Sequence, residues 1–241
     1  MTVVLPAYNA ARTLERTVAD IPKGSVDEIL LVDDASGDGT AAIAERLGLT
    51  VFRHDKNRGY GANQKTCYQK ALERGAGVVV MVHPDHQYDP KIIPQMIAPI
   101  LAGEADAVFG SRMLLPGALE GGMPGWKYLG NIALTALENA VIGVRLSEYH
   151  SGYRAYTAKL LSAVGFDGFS DKFVFDSEII VQCARRGFRI REIPIQTRYF
   201  KEASTIGFWA SARYALSIMR LMAQLALHRT GLRRSGKFTD A

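Results

Sequence analysis

The chain has 241 residues, of which 48% are hydrophobic and 22% charged, the composition of an ordinary globular protein. Its length suits one large α/β domain with a tail, and the lack of repeats or low-complexity stretches excludes solenoid, fibrous and disordered architectures. Residues 185–241 hold twelve Lys or Arg and three Asp or Glu, so their formal charge is +9, which leaves −4 for the remainder. A basic end suits anionic lipid, nucleic acid or water, so charge alone does not choose a partner.

The cysteine content and the N-terminal sequence indicate where in the cell the protein is expected to lie. Cys67 and Cys183 both fall in predicted helices, which argues against a disulfide framework and a thiolate metal site. The chain begins with a strand pattern and no basic or apolar leader, so we expect a cytoplasmic protein.

Short apolar runs alternate with amphipathic segments through the first half of the chain. Strands are predicted at 2–5, 28–32, 50–52, 78–82 and 107–110, and helices near 11–21, 40–47, 61–74 and 91–102. This alternation predicts an α/β fold with a Rossmann-like, mainly parallel sheet and helices on both faces.

The regular alternation of predicted strands and helices ends after residue 110. A Gly- and Pro-rich segment at 116–125 predicts a long, functional or mobile loop. A helix at 126–142, the segment 151–156, a helix near 176–186 and a strand around 189–195 follow.

The last predicted helix covers residues 208–228 and is amphipathic. Its polar residues form one narrow stripe on an otherwise apolar cylinder: Arg213, Ser217, Arg220, Gln224 and His228. Its length of about 31 Å would just cross a bilayer. Two mid-helix arginines would each cost about 2.5 to 3.5 kcal/mol there, which favours a helix lying at the membrane surface. The alternative is packing on its own domain or on a second copy in a homo-oligomer. We therefore divide the chain into a domain at 1–205 and a helix with a basic tail at 206–241.

Polar loops follow four of the predicted strands. The buried-type run 78–82 leads into Asp85 and Gln87, whose oxygen atoms suit a divalent cation held against a phosphate. The carboxyl ends of strands are where open α/β sheets place their ligands. We therefore expect an enzyme that handles a nucleoside diphosphate.

The other three loops suit the remaining parts of a nucleotide. After the first strand, Pro6 fixes the backbone and the Tyr8 ring can stack on a base. The second strand ends in Asp33 and Asp34, which can accept hydrogen bonds from a base or ribose, although a capped turn has the same pattern. The third loop, at 57–63, opens a helix with glycines that permit close approach to a phosphate. It matches neither the Walker loop nor the dinucleotide fingerprint.

Six short segments, taken in order, resemble the family 2 glycosyltransferases, most closely polyprenyl-phosphate sugar transferases of the dolichyl-phosphate mannosyltransferase type. The resemblance covers roughly residues 2–205. The segments are Leu5-Pro6-Ala7-Tyr8-Asn9, Val32-Asp33-Asp34-Ala35-Ser36-Gly37-Asp38-Gly39-Thr40, Asn57-Arg58-Gly59-Tyr60-Gly61, Asp85-His86-Gln87, Gly110-Ser111-Arg112 and Ser151-Gly152-Tyr153-Arg154-Ala155.

The resemblance implies a GT-A fold and a role for each matching residue. Asp85 and Gln87 would coordinate Mg²⁺ or Mn²⁺, and Asp34 would take the edge of the base. The full nucleotide set would be Pro6, Ala7, Tyr8, Asn9, Asp34, Asn57, Gly59 and Asp85. The catalytic set would be Asp85, Arg112, Arg154 and Asp176. The acceptor-phosphate set would be Lys127, Asn131, Arg154, Arg198 and Ser204.

The chain departs from the family pattern at three places. His83 stands where the family usually has the first carboxylate of its metal loop, which leaves a His83/His86 zinc site as the minor alternative. Lys127 and Asn131 stand where an arginine and a serine are expected. The late Arg-x-x-Gly-Glu-Ser-Lys pattern appears only loosely, at 198–204.

Three functions fit these patterns. The first is metal-dependent, inverting transfer of a sugar from a UDP- or GDP-type donor to a polyprenyl phosphate at the cytoplasmic membrane face, with no nucleic-acid partner. The second uses the same donor but a sugar hydroxyl acceptor, which would need a general base such as Asp176, Glu178, Glu148 or His150. Asp176 and Glu178 are equally explained as acidic residues in the first turn of a helix. The third is a non-catalytic nucleotide-sugar binding subunit.

Overall fold

The structure is a computed structural model that describes residues 1–114, 118–119, 121–198, 207–233 and 235–238. Its strands are β1 (Thr2–Ala7), β2 (Glu28–Asp33), β3 (Thr50–Arg53), β4 (Val78–Met81), β5 (Ala107–Ser111), β6 (Arg154–Thr157) and β7 (Ile190–Pro194). Its helices are α1 (Leu14–Ala19), α2 (Thr40–Arg46), α3 (Tyr60–Glu73), α4 (Ile93–Leu101), α5 (Gly125–Ile142), α6 (Ala158–Val164), α7 (Phe175–Arg185) and α8 (Phe208–Arg229). Short 3₁₀ helices lie at Pro90–Ile92, Phe166–Gly168 and Gly236–Phe238.

The described strands form one sheet in the order β3-β2-β1-β4-β6-β5-β7. β1 pairs in parallel with β2 and β4, β2 with β3, and β5 with β7. β6 is antiparallel to both of its neighbours, β4 and β5. The carboxyl ends of β1, β2 and β4 therefore meet at one edge, where α/β folds bind ligands.

Each face of the sheet is covered by helices because successive strand side chains point to opposite faces. Val4 points into one core, which contains Tyr68 of α3, Phe175 of α7 and Leu221 of α8. Val3 points into the other, which contains Ile93 and residues of α1. This two-sided burial explains the continuous apolar character of the central strands.

The fold class predicted from the sequence is confirmed: helices flank a mostly parallel sheet. Predicted elements from 2 to 142 all occur, with ends that shift by a few residues. Two details differ from the expected alternation. The segment 151–156 supplies the reversed strand β6, and α6 follows it directly, capped by the Thr157 hydroxyl, which accepts from the backbone N–H of Leu160 at 3.2 Å.

Helix α8 packs against α5, so its inner face belongs to the domain. Its inward side chains Ile218, Leu221, Met222 and Leu225 are buried. The Arg229 guanidinium donates to the carbonyl of Ile142 at 2.9 Å, which fastens the end of α8 to the end of α5. Packing on its own domain thus accounts for the inner apolar face of this helix. Among the described residues, no helix has the length and apolar character needed to cross a bilayer.

Candidate functional site

A cavity of about 610 Å³ opens at the carboxyl ends of β1, β2 and β4 and extends to the first turns of α5 and α8. Most of the residues predicted from the sequence line it. They are Pro6, Ala7, Tyr8, Asn9, Asp34, Asn57, Gly59, Asp85, Gln87, Arg112, Lys127, Asn131 and Asp176.

The loops after β1 and β2 are tied to each other at the cavity edge. The backbone N–H of Asn9 donates to the Ser36 hydroxyl at 2.8 Å, and the Asn9 side-chain oxygen accepts from the N–H of Gly37 at 3.0 Å. Asn9 has a φ of 52°, a left-handed conformation that asparagine tolerates better than most residues. This pairing fixes the neighbouring Tyr8, whose side chain is 55% exposed and available for stacking.

Asp34 holds the third loop against the end of β2. One carboxylate oxygen accepts from the N–H of Arg58 at 2.8 Å and lies 2.6 Å from a ring nitrogen of His54, and the other accepts from the N–H of Gly59 at 2.9 Å. Asp34 is 2% exposed. Its observed contacts are therefore structural, and contact with a base remains a prediction that depends on the second oxygen.

The glycines of the third loop do not open a phosphate site at α3, which corrects that expectation. A Cβ on Gly61 would lie 2.3 Å from the carbonyl oxygen of Ser170, and one on Gly59 would lie 2.9 Å from that of Asp171. The N–H of Gly61 donates to the same Asp171 carbonyl at 2.9 Å. The segment 170–172 thus covers the start of α3, and both glycines are needed for its close approach.

The loop after β4 presents Asp85 and Gln87 together. The Asp85 carboxylate accepts from the backbone N–H of Gln87 at 3.0 Å, which closes a tight turn. His86, between them, has a φ of 58° and turns away, so that its Nε2 lies 2.9 Å from the Asp20 carboxylate. A zinc site that combines His83 with His86 is therefore wrong, because the two rings serve different contacts.

His83 occupies the position of the first carboxylate beside Asp85. Its ring stacks on Tyr60 with centroids 5.6 Å apart, and a Cβ on Gly152 would lie 2.4 Å from its Nε2. Burial lowers the pKa of His83, which favours the neutral imidazole. The described residues contain no cluster of three or more metal-ligating His, Cys, Asp or Glu side chains. The Asp85 carboxylate and the Gln87 amide oxygen remain as candidate metal ligands. These two oxygen donors fit a hard cation that is also coordinated by phosphates.

Arg112 lies at the opposite wall of the cavity and is paired with Glu148. Its backbone N–H and Nε each donate to the Glu148 carboxylate at 2.8 Å. Burial alone would raise the pKa of Glu148, but the charge and hydrogen bonds of Arg112 outweigh it and lower that pKa. Glu148 is thus committed to an ion pair, which removes it as a candidate base. Nearby Lys127 lies over the Trp126 ring, and burial together with the charge of Arg112 lowers the lysine's pKa.

Arg154 does not face the cavity, which corrects its assignment to the acceptor phosphate. It is 1% exposed, and its guanidinium donates to the carbonyls of Ser151 at 2.9 Å and Tyr149 at 2.7 Å. It also lies 3.8 Å from the Asp176 carboxylate. The resemblance supplied the residue, but β6 directs its side chain into the core beneath the site.

Asp176 lies on the cavity wall above Arg154. One oxygen accepts from the Tyr60 hydroxyl at 2.8 Å, and the other is buried without a hydrogen-bond partner among the described residues. Glu178, two residues on and therefore on another side of the helix, points elsewhere: it accepts from the N–H of Ser170 at 2.6 Å and pairs with Lys237. Of the two acidic residues in the first turn of α7, only Asp176 belongs to the site.

Two further residues, Arg198 and Ser204, were predicted to bind the acceptor phosphate. Arg198 does not line the cavity; its guanidinium donates to Asp89 at 3.0 Å and its N–H donates to the Gln87 carbonyl at 3.0 Å. It thus braces the loop after β4, and its contact with an acceptor stays a prediction. Ser204 lies outside the described residues.

The apolar side of the cavity was not identified from the sequence. Trp126 and Phe208 meet at its mouth with ring centroids 5.3 Å apart, and Phe173 and Tyr214 lie further in at 6.1 Å. The available signal was the clustering of aromatic residues at the starts of two helices. Nothing in the order of the chain showed that these helix starts are adjacent.

These features define an α/β enzyme with a polar cavity at the carboxyl edge of its sheet and an apolar mouth. The profile of glycosyl transferase family 2 matches residues 2–165, so the chain belongs to that family. The predicted family is confirmed.

Relatives of known name support the assignment. An undecaprenyl-phosphate mannosyltransferase from Micrococcus luteus is 30% identical over 200 residues, which cover 80% of this chain and 81% of that protein. A UDP-N-acetylglucosamine–dolichyl-phosphate N-acetylglucosaminyltransferase from Methanococcus voltae is 27% identical over 214 residues, covering 82% and 85% of the two chains. Glucosyl-3-phosphoglycerate synthase from Mycobacterium tuberculosis, solved with Mn²⁺, UDP and phosphoglyceric acid, has a TM-score of 0.68 at 20% identity over 98% of this chain and 80% of that one. This likeness confirms the GT-A type of fold.

Proposed function

We propose that this glycosyltransferase moves a sugar from a nucleoside diphosphate to a polyprenyl phosphate at a membrane surface. One observation carries the proposal. A single cavity is lined by the Asp85 and Gln87 pair, by the cations Arg112 and Lys127, and by the aromatic mouth formed by Trp126 and Phe208. Such a cavity offers a place for a diphosphate, a second phosphate and an apolar chain.

The donor nucleotide would occupy the side built from the loops after β1, β2 and β4. The exposed ring of Tyr8 would stack on the base, and the loop held by Asp34 would border the ribose. The structural neighbour solved with UDP supports a nucleoside diphosphate in this type of fold. Uridine and guanosine donors both remain candidates.

Mg²⁺ or Mn²⁺ would be held by the Asp85 carboxylate and the Gln87 amide oxygen together with donor phosphates. When bound, the cation would neutralise charge that develops on the leaving diphosphate. The structural neighbour was solved with Mn²⁺, which supports this choice of ion.

The acceptor would be a phosphate monoester bound by Arg112 and Lys127. Its second pKa near 6 makes it largely dianionic at neutral pH, so it attacks without a general base. The bond from the anomeric carbon to the diphosphate oxygen breaks, and that oxygen keeps the electron pair. A bond to an acceptor phosphate oxygen forms on the opposite face of the sugar. Asp176, held by Tyr60 above the buried charge of Arg154, would accept a hydrogen bond from the sugar through its unpartnered oxygen.

The outer faces of α5 and α8 would rest on the membrane. They present exposed apolar side chains beside the cavity mouth, namely Trp126, Leu129, Ile132, Phe208, Trp209, Leu216, Met219 and Leu227. The exposed cations Arg213 and Arg220 flank this surface and suit anionic lipid headgroups. Together with the polyprenyl-phosphate acceptors in the names of the relatives, this favours a lipid-linked acceptor.

A transfer assay with the full chain tests the proposal. Labelled nucleotide sugars, Mn²⁺ and a short polyprenyl phosphate should give a product that extracts into organic solvent. Asp85→Asn should reduce transfer at least a hundredfold and weaken Mn²⁺ binding in the presence of UDP, measured by titration calorimetry. Glu104→Gln is the matched control, because it makes the same carboxylate-to-amide change at an exposed residue that does not line the cavity. Transfer only to sugar hydroxyls would favour the second hypothesis, with Asp176 as base. Absence of transfer to any acceptor would overturn the proposal.

A further inference from the structure

Five polar side chains form a continuous series from the core to the cavity wall. We call this series the acceptor-side network; its members are Glu138, His150, Asn131, Glu148 and Arg112. Glu138 and Asn131 lie on α5, Glu148 and His150 in the segment before β6, and Arg112 after β5. Both glutamates are buried, at 0% and 1% exposure. A buried polar network that joins three parts of the chain is stable only when each polar atom in it has a hydrogen-bond partner.

Both ring nitrogens of His150 are committed within the network. Nε2 lies 2.9 Å from a carboxylate oxygen of Glu138, although the angle departs from that of an ideal hydrogen bond. Neither of these two atoms has another hydrogen-bond partner among the described residues. Two bare lone pairs at that separation in a buried place would repel, so the two groups share a proton. Nδ1 lies 3.2 Å from the Asn131 side-chain oxygen. His150 therefore cannot serve as a general base, although its ring lines the cavity.

The amide orientation of Asn131 follows from its neighbours. Its nitrogen donates to Glu148 at 2.7 Å, and its oxygen faces Nδ1 of His150 and the Thr135 hydroxyl, both at 3.2 Å. The reversed amide would place its oxygen against the Glu148 carboxylate and its NH₂ group against the N–H of His150. Both contacts would be repulsive, so the Glu148 carboxylate and an N–H at Nδ1 of His150 together favour the observed orientation.

Glu148 transmits this orientation to the cavity. Its carboxylate accepts from the backbone N–H, Nε and one terminal guanidinium nitrogen of Arg112, which fixes one edge of the guanidinium on the cavity wall. Each donor to Glu148 restricts where its oxygens lie. Loss of the Asn131 donor would let the carboxylate and its arginine partner rotate together.

We propose that His150 is a positioning residue that acts through Asn131 and Glu148 to hold Arg112 for a phosphate-monoester acceptor. The role in acceptor binding rests on the proposed function, whereas the effect on the arginine does not.

Two substitutions separate this role from simple packing. His150→Leu removes both polar contacts, and we expect the KM for a short polyprenyl phosphate to rise about tenfold, the effect of losing one charge-linked hydrogen bond. His150→Asn keeps a donor at the place of Nδ1, so the acceptor KM should stay within about twofold. The KM for the donor should be unchanged in both variants. Tyr149→Phe is the matched control, since it removes a 2.9 Å hydrogen bond from the same segment to Asn139 of α5.

A double-mutant cycle tests whether the effect passes through the arginine. In an Arg112→Ala background, His150→Leu should raise the acceptor KM no further, because coupled residues are not additive. Additive effects would overturn the proposal. So would an equal loss in His150→Asn and His150→Leu.

The free protein supplies a readout that needs no transfer activity. The Nε–H resonance of Arg112, protected by Glu148, should be visible by ¹H–¹⁵N NMR in the wild type and in His150→Asn. It should shift or exchange rapidly in His150→Leu and remain in Tyr149→Phe. An unchanged resonance in His150→Leu would refute the positioning role, even in a protein that transferred nothing to a lipid phosphate.

Discussion

Substitution of Gly61 by alanine tests the close approach of the segment 170–172 to α3. The new Cβ would lie 2.3 Å from the Ser170 oxygen and 2.9 Å from both the Asp171 carbonyl carbon and the Lys172 oxygen. All three atoms are backbone, so no side-chain rotation relieves the overlap. The segment has to move by about 1 Å, which strains the packing by about 1–3 kcal/mol.

Two smaller effects accompany this strain. Displacement would break the hydrogen bond from the Gly61 N–H to the Asp171 carbonyl, worth about 1 kcal/mol. Alanine returns at most about 1 kcal/mol of helix propensity. We therefore expect the free energy of unfolding to fall by about 1–4 kcal/mol, and the Tm by about 2–4 °C for each kcal/mol lost.

Urea and thermal denaturation measure this loss, with Gly130→Ala as the matched control. Gly130 is also helical, but nothing lies within 4 Å of its added Cβ, so alanine should leave the free energy of unfolding unchanged or raise it by up to about 1 kcal/mol. The displaced segment leads directly to Phe173 on the cavity wall, so donor affinity should also fall in Gly61→Ala. Equal stability of the two variants would refute the reasoning.

Three further changes test the core, the outer surface and the nucleotide side. Arg154→Met should reduce the free energy of unfolding by about 3–5 kcal/mol in urea denaturation, because it leaves a buried carboxylate without its cation; a loss below 1 kcal/mol would contradict this. Leu129→Glu with Met219→Glu should reduce liposome flotation at least fivefold, whereas Leu101→Glu, at an exposed position on α4, should not; equal flotation would argue against the membrane surface. His54→Leu should weaken UDP binding about fivefold in calorimetry by loosening the loop that its aspartate partner holds, and unchanged affinity would count against that role.

The sequence was sufficient to predict which loops meet at the side of the cavity that we propose for the nucleotide. Short β-branched strands that alternate with helices can pair only as a mostly parallel sheet, so the loops after β1, β2 and β4 had to meet at one edge. Tyr8, Asp34 and Asp85 follow those strands and do lie on one cavity. The hydrophobic periodicity of each segment and the order of the segments along the chain were therefore enough to place these three residues together.

Other features depend on contacts between distant parts of the chain. The glycines at 59 and 61 indicated a close approach, but only the fold shows that the approaching group is the backbone at 170–172 rather than a phosphate. Arg154 was expected at the acceptor because the family resemblance implied it, yet strand β6 turns it inward to Asp176. A motif identifies a residue without giving the direction of its side chain.

The topology explains why the two sides of the cavity differ in how well they could be predicted. The nucleotide side is formed by parallel strands in a regular βα order. The acceptor side depends on β6, the one strand among those described that is antiparallel to its neighbours, and on α5, which precedes it. Insertion of a reversed strand brings the segment before it, with Glu148 and His150, against α5 and the end of β5. Under the proposed function, acceptor recognition would depend on contacts between residues far apart in the sequence. Single substitutions along the acceptor-side network should then change acceptor affinity while nucleotide binding stays intact.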